Sequence, residues 1–447
     1  MGIFSDFTEI LNGWIMPVLL ILCGIITAAI IKLPKILRPK VFFKTLAESS
    51  EKGGTSPAKA MTTALAGTLG VGNMAGVASA ICAGGAGAVM WMWIGALVSM
   101  SVKYSEIALA VHYRRRGRHG NFIGGAMYTI RDGMKNKIGR RSAAFFGGIF
   151  ALMCIVNSLV TGNIVQSNSA AAVFSGIPKY VIGIALALGI TAVAIFGSDK
   201  ISSVTFVLIP ILSGIYIFLS MSIIFRNYSL IPEVMSRIIK GAFTPSAVIG
   251  GIGGYGIKEA VRFGITRGIF SNEAGCGTAP SAHAGANVKS PHHQGCFGIF
   301  EVIADTLILC SMTAFAIIIA QIKYPNILSG SDGIPLTLLS YGSLLGDAAY
   351  YIIGVSVILF AFATIIAQLY YGAVAIGYFT ESKFPYIVYI ILAVSASIYG
   401  SVMSDSSMWI AADLTVGVMT VINVTVLLML RRELRDCITD KKAGKRD

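Results

Sequence analysis

Apolar residues in this chain come in long uninterrupted runs separated by short polar stretches. Charge-poor runs cover Leu11–Ile31, Ala60–Val102, Ser142–Pro178, Tyr180–Ser198, Ile201–Phe225, Thr306–Ile322, Ala348–Thr380, Phe384–Ser404 and Leu414–Leu430. A helix needs about 20 apolar residues to cross hydrocarbon, so each run predicts a membrane span. The run from Ala60 to Val102 is twice the required length and must be divided. The stretch from Pro245 to Ala286 carries a few charges but also spans. Eleven helices are predicted.

One run contains its own interruption. Gly67-Thr68-Leu69-Gly70-Val71-Gly72-Asn73-Met74-Ala75-Gly76 places four glycines and an asparagine inside a segment that lacks charge from Ala60 to Val102. Glycine unwinds a helix, and within a bilayer unwound backbone persists only where it lines a cavity or holds a ligand. Discontinuous helices of secondary transporters bind substrates and ions in this way. Close helix packing, for which Gly72 and Gly76 have the right spacing, is the alternative.

A second interruption follows. Gly264 to Pro280 holds Gly264, Gly268, Gly275, Gly277 and Pro280, with polar residues between apolar flanks. The first break lies in the second predicted helix and this one in the seventh. Five helices later the pattern recurs in the opposite orientation, which predicts two inverted five-helix repeats with the first helix outside the core. The expected divisions are an N-terminal helix and linker over 1–59, repeats over 60–228 and 245–430, and a basic tail over 431–447.

Composition agrees with a membrane protein: 55% of the 447 residues are hydrophobic and 13% charged. A net charge of +14 would point to nucleic acid in a soluble chain, but its distribution excludes that reading here. With the N-terminus outside, twenty-six Lys and Arg fall on the inner side and five on the outer. The Arg114-Arg115-Arg116-Gly117-Arg118 cluster reads as an inner-face anchor at anionic headgroups. Asp6 and Glu9 precede the first apolar run, unlike the basic start of a cleavable leader, so that helix is expected to be retained. The seven cysteines are scattered and form no metal or disulfide pattern, and His292-His293 reads as a solvated pair.

The ordered motifs carry a family resemblance. Gly67–Gly76 is followed by Gly84-Gly85-Ala86-Gly87-Ala88, Trp91-Met92-Trp93 and Lys103-Tyr104-Ser105-Glu106. Next come Gly124-Gly125-Ala126-Met127-Tyr128, Gly162–Ser169, Arg267–Gly275, Ala282-His283-Ala284, Glu301-Val302, Asp305-Thr306, Ala361-Phe362-Ala363-Thr364 and Ala412-Asp413. In this order they resemble the alanine or glycine:cation symporter family over nearly the whole chain. The resemblance implies a leucine-transporter-like fold and sodium-coupled uptake of small neutral amino acids across the plasma membrane. It also implies a transporter rather than an enzyme, and a monomer is expected.

An amino acid carries two charged ends that hydrocarbon does not tolerate. Amides around Gly70, Val71, Gly72 and Asn73 suit its carboxylate. Groups near Phe270, Ser271, Asn272 and Gly275 suit its ammonium, with Phe270 as a wall. Gln166 resembles a substrate-facing family position. Gln368 stands where the family pattern has a tryptophan, which predicts a roomier or more polar pocket. For sodium, the resemblance implies backbone ligands at Ala66, Leu69, Phe360 and Ala363 and the Thr364 hydroxyl. Ala363 replaces an expected hydroxyl residue, and Val71 an expected threonine.

Glu106, Glu273, Glu301, Asp305 and Asp413 all lie in or beside spans, where charge is paired or functional. Lys103 is expected to pair with Glu106, and Glu273 with Arg267 or a half-helix end. The alternatives left open are a proton-coupled carrier of another amino acid or amine and, further off, an ion channel.

Overall fold

The computed structural model describes residues 2–47, 55–117, 122–196, 198–244, 256–288, 290–328, 330–403 and 407–438. The Pro245–Ala286 span thus begins, and the basic tail ends, outside the described residues. So does Arg118.

The principal helices are α1 (Asp6–Ile31), α2 (Pro57–Thr68), α3 (Ala75–Gly84), α4 (Gly87–His112), α5 (Arg140–Ala171), α6 (Lys179–Phe196), α7 (Ile201–Arg226), α8 (Ile231–Phe243), α9 (Ile257–Asn272), α10 (Pro280–His283), α11 (Pro291–Lys323), α12 (Gly333–Leu345), α13 (Asp347–Phe379), α14 (Lys383–Val402), α15 (Ser407–Met429) and α16 (Arg431–Ile438). Among the described residues, eight helices are long and apolar enough to span a bilayer, and α2 and α3, bent by 59° at the glycine cluster, make a ninth as one broken span. Helix α6 is shorter, and α9 and α10 are separated by non-helical residues. Helices α8 and α12 lie in stretches that the sequence pattern leaves without a span.

Local chemistry explains the starts. Ser56 accepts a hydrogen bond from Lys59 N (3.2 Å) ahead of Pro57 at the first turn of α2, and Ser290 does the same with His293 N before Pro291 in α11. Helices α4 and α13 are inside, with 83% and 72% of their apolar windows buried, whereas α7 and α14 are 28% buried and turn Phe206, Phe218 and Phe384 outward. Helix α4 packs along α9, α11 and α1, α5 along α13, and α6 along α14. An exposed apolar face is the expected state of a lipid-facing helix.

Among the described residues, three stretches are π-helical: Leu11–Ile15 in α1, Val160–Val165 in α5 and Ile303–Cys310 in α11. The last two flank the breaks, where such distortions redirect side chains. The start of the first broken span and the end of the second are tied together. Thr55 bridges Ala286, Asn287 N donates to Thr55 O (2.8 Å), and Arg114 donates to Ala286 O (2.5 Å) and Val288 O (3.1 Å). Arg114 also stacks on Phe122 at 3.6 Å and Arg115 pairs with Asp132 at 2.6 Å, so these two arginines fasten the protein to itself rather than to headgroups.

At the start of α4, helices approach to backbone contact. A Cβ on Gly87 would lie 2.2 Å from the carbonyl carbon of Gly241 in α8. Gly87→Val is expected to force α4 and α8 apart and cost about 1–3 kcal/mol. A lowered melting temperature of the detergent-solubilised protein is the check, and an unchanged one would refute the contact.

Candidate functional site

The first break is held open by replacement hydrogen bonds. Gly70 N turns to Thr68 O (2.9 Å) and Asn73 Oδ1 (3.2 Å), and Val71 N donates to Gln166 Oε1 (3.4 Å). Side chains therefore satisfy amides that a continuous helix would spend on carbonyls one turn back. Gly70 is required by proximity: a Cβ there would sit 2.4 Å from Thr364 Oγ1 and 3.0 Å from Gln166 Oε1. Residues from α5 and α13 thus meet the break directly.

The second break ends α9 at Asn272. Glu273 adopts a left-handed conformation (φ 50°), Ala274 N donates to Asn272 Oδ1 (3.0 Å), and the chain stays non-helical to α10. The two breaks touch, since a Cβ on Gly72 would lie 3.3 Å from Ser271 Cα and 3.8 Å from Phe270 Cδ1. Asp305, in the π-helical part of α11, joins them. Its carboxylate accepts from Asn73 Nδ2 (2.8 Å), Ser271 Oγ (2.9 Å) and Thr306 Oγ1 (2.8 Å), and Thr306 Oγ1 also receives Asn272 Nδ2 (3.0 Å). A cavity of about 10 Å³ lies beside the first break, lined by Leu69, Gly70, Asn73, Met74, Tyr216, Leu309 and Phe360. It has room for one water-sized particle.

Most of the sequence candidates come together here: Gly70, Val71, Gly72, Asn73, Gln166, Phe270, Ser271 and Asn272, with Leu69, Phe360 and Thr364 alongside. Thr364 Oγ1 donates to Phe360 O (3.0 Å). Ala66 and Ala363 are fully buried. Gly275 is a correction. At φ 85° it faces Leu20, Thr420 and Val424, and its carbonyl accepts from Asn423 Nδ2 (2.9 Å), so it belongs to the contact with α15. Gln368 donates to Glu273 Oε1 (2.9 Å) and packs where a Gly162 Cβ would be 2.5 Å away, so it braces the second break. Glu273 does not answer Arg267. It takes Gln368 and Thr278 Oγ1 (2.5 Å), while Arg267 Nη1 faces Asp413 Oδ1 at 3.9 Å. His292 hydrogen-bonds Tyr104 (2.6 Å) and His293 is buried against Phe297, so this pair is not solvated.

Sequence reasoning named Asp305 among intramembrane carboxylates but missed its place between the breaks. It also missed how far the charged cluster below them extends. Lys103, fully buried, donates to Asn272 O (3.0 Å), the carbonyl end of α9. Its Nζ stands 3.9 Å from Glu106 Oε1, the expected pair, and also 3.7 Å from Glu301 Oε2. Glu106 Oε2 accepts from Gly277 N (3.2 Å) and Asn423 Nδ2 (2.9 Å). Gln294 Nε2 donates to His283 Nδ1 (2.6 Å), and His283 Nε2 in turn donates to Glu301. The regular i, i+3 spacing reveals only the Lys103–Glu106 pair among these contacts.

Removing the ammonium would leave Glu106 and Glu301 buried together. Lys103→Met is expected to destabilise the protein by about 3–5 kcal/mol. The loss of monodisperse protein on gel filtration after mild heating checks this, and wild-type resistance would contradict it.

Comparison with known proteins places this architecture. Residues 2–446 match the model of the sodium:alanine symporter family. The chain is 34% identical over 398 residues to the sodium/alanine symporter AgcS of Methanococcus maripaludis, covering 88% of this chain and 85% of that protein. It is 32% identical over 455 residues to the probable sodium/glutamine symporter GlnT of Bacillus subtilis, covering 99% and 91%. In fold it is similar to a crystal structure of a mutant manganese transporter from Eremococcus coleocola, with a TM-score of 0.54 at 13% identity over 88% of this chain and 81% of that one. The chain belongs to the sodium:alanine symporter family, a family of membrane transporters.

Proposed function

We propose that this protein carries small neutral amino acids across the plasma membrane together with sodium, by alternating access around the meeting point of the two breaks. The observation that carries the reading is the contact between Gly72 and Ser271, where two interrupted helices present main-chain groups to each other at membrane depth. The proposed organisation is a leucine-transporter-like pair of inverted repeats over 60–228 and 245–430, eleven spans in all, with the N-terminus outside and the tail inside. Counting α6 and the α9–α10 pair with the nine spans above supports that number.

Each substrate end has a partner. The amides of Gly70 and Val71 are held by Asn73 Oδ1 and Gln166 Oε1, neutral oxygens that a substrate carboxylate replaces. Asp305 supplies negative charge beside Ser271 and Asn73 for an ammonium or a sodium ion. Sodium is assigned to Leu69, Ala66, Phe360 and Ala363 carbonyls with the Thr364 hydroxyl, because Thr364 closes on Gly70 from α13. A cavity of about 10 Å³ does not admit an amino acid, so loading requires α2–α3 and α9–α10 to separate. Phe270, 3.8 Å from a Gly72 Cβ, walls the side chain. Alanine follows from the name of AgcS and a larger amide from that of GlnT, and Gln368, drawn to Glu273, leaves the choice to the wall.

One observation favours proton coupling as a second reading. Glu106, Glu273, Glu301 and Asp305 are buried with a single lysine among them, and such an excess of carboxylates takes up protons or cations.

Uptake of alanine and glutamine into proteoliposomes separates these. A sodium gradient is expected to drive accumulation, and choline to abolish it. Accumulation without sodium that a protonophore collapses would replace sodium with protons. Gly72→Val and Asn73→Leu are each expected to lower uptake at least about tenfold while membrane insertion persists, since one overfills the break and the other removes the bond to Asp305. Wild-type uptake by both would end the proposal.

A further inference from the structure

Beyond the second break lies a titratable ring that the carrier cycle leaves unused. His283, the last residue of α10, is fully buried, and α11 holds it through two side chains. Gln294 and Glu301 are two helical turns apart on one face, so both reach the same imidazole. Gln294 Nε2 donates to His283 Nδ1 (2.6 Å), and His283 Nε2 donates to Glu301 Oε1. The ring is therefore neutral, with Nδ1 as its acceptor.

Hydrogen and positive charge are both scarce around it. Glu106 Oε1, Glu301 Oε2 and Gln294 Oε1 are buried and have no hydrogen-bond donor among the described residues. Glu106 and Glu301 share one ammonium, Lys103 Nζ, at 3.9 and 3.7 Å, beyond hydrogen-bond distance. Of the elements packed on α10, α4 supplies Lys103 and Glu106, α13 supplies Tyr371, and α2 adds Lys59 in its first turn. Glu273 also acts on Lys103, and adds negative charge. Charged residues of Pro39–Ala47 and α16, which pack on α11, are exposed or half-exposed. An unbalanced carboxylate is strongly unfavourable in a dry site. One proton on His283 would give two cations for Glu106 and Glu301. Gln294 serves either state. Its amide donates to a neutral Nδ1 and, turned over, accepts from a protonated one through Oε1, the atom that now lacks a donor.

We propose that His283, between Gln294 and Glu301, is a proton-binding site that makes the protein sensitive to pH on the side of the Thr55–Asn287 clasp. A proton from water adds to Nδ1, the Gln294 amide turns over, and no other covalent bond forms or breaks. The clasp begins three residues beyond the ring, where Ala286 N donates to His283 O (3.1 Å) and Ala286 O accepts from Arg114. A surface is close by at the start of α11, where half-buried His292 bonds Tyr104 (2.6 Å). Toward the breaks, Lys103 on Asn272 O closes the site. An imidazolium grips Glu301 more strongly than the neutral ring does, because charge-assisted hydrogen bonds are the stronger kind. It therefore ties α10 to α11 and resists the separation on which loading depends. That consequence rests on the carrier reading above, while the proton site does not.

NMR of the full-length protein in nanodiscs, isotope-labelled at its five histidines, is the test. The signal that His283→Gln removes is expected to follow a one-proton titration with its midpoint between about pH 5 and 8. If that variant does not fold, single replacements of His112, His119, His292 and His293 leave His283 by elimination. Glu301→Gln and Gln294→Met are each expected to displace the midpoint by about one pH unit or more. A His283 that stays neutral or stays charged across the window, or a midpoint indifferent to both variants, overturns the site. Uptake of alanine or glutamine, driven by sodium with equal pH on both faces, is expected to be about threefold or more slower at the acid end of that window. His283→Gln is expected to abolish this dependence, and Gln294→Met to move it with its own midpoint. Dependence that survives unmoved in both overturns the sensor. A titrating His283 without uptake of either amino acid sustains the site and overturns the carrier reading, whereas uptake with a silent His283 overturns the site alone.

Discussion

The structure depends on one ammonium group placed where no water reaches it. Lys103 Nζ caps the carbonyl end of α9 through Asn272 and faces Glu106 and Glu301 at once. A half-helix that stops inside a bilayer exposes the negative end of its dipole and unpaired carbonyls, a cost that a cation directly offsets. The lysine is in turn tolerable only because two carboxylates stand within 4 Å. Those carboxylates are anchored by Gly277, Asn423 and His283, so α4, α9, α10, α11 and α15 are all referred to the same point. The break in α9 is built by this arrangement as much as by its glycines.

How much of this was legible from residues alone differs by kind of interaction. The breaks could be read because glycine, asparagine and proline act locally: Asn73 Oδ1 accepts from Gly70 N only three positions back along the chain. Their meeting was legible only as an expectation from repeat spacing. Asp305 was visible as a carboxylate in a span, yet its role depends on Asn73 and Ser271 arriving from two other helices, and no one-dimensional pattern encodes that. Lys103 and Glu106 share a helical face and were paired correctly, while Glu301 lies almost two hundred positions further on.

The misreadings share a cause. Gln368 and Gly275 were placed by analogy of position, but side-chain direction is set by helix rotation and by the left-handed turns after Asn272. Arg267 and Glu273 are six positions apart and seemed natural partners. Glu273 itself turns left-handed at the end of α9, so the arginine faces α15 and the glutamate α13. His292 and His293 looked solvated because they follow a polar stretch, yet Tyr104 and Phe297 draw both inward.

The clasp between Thr55 and Asn287 has a mechanical consequence. It stitches the stub preceding one broken span to the stub following the other, and Arg114 adds two further stitches from the end of α4. Levers joined at their tips swing as one. The adjoining halves of the two broken helices are therefore coupled as a single leaf, whose latch is main-chain hydrogen bonding and one forked arginine.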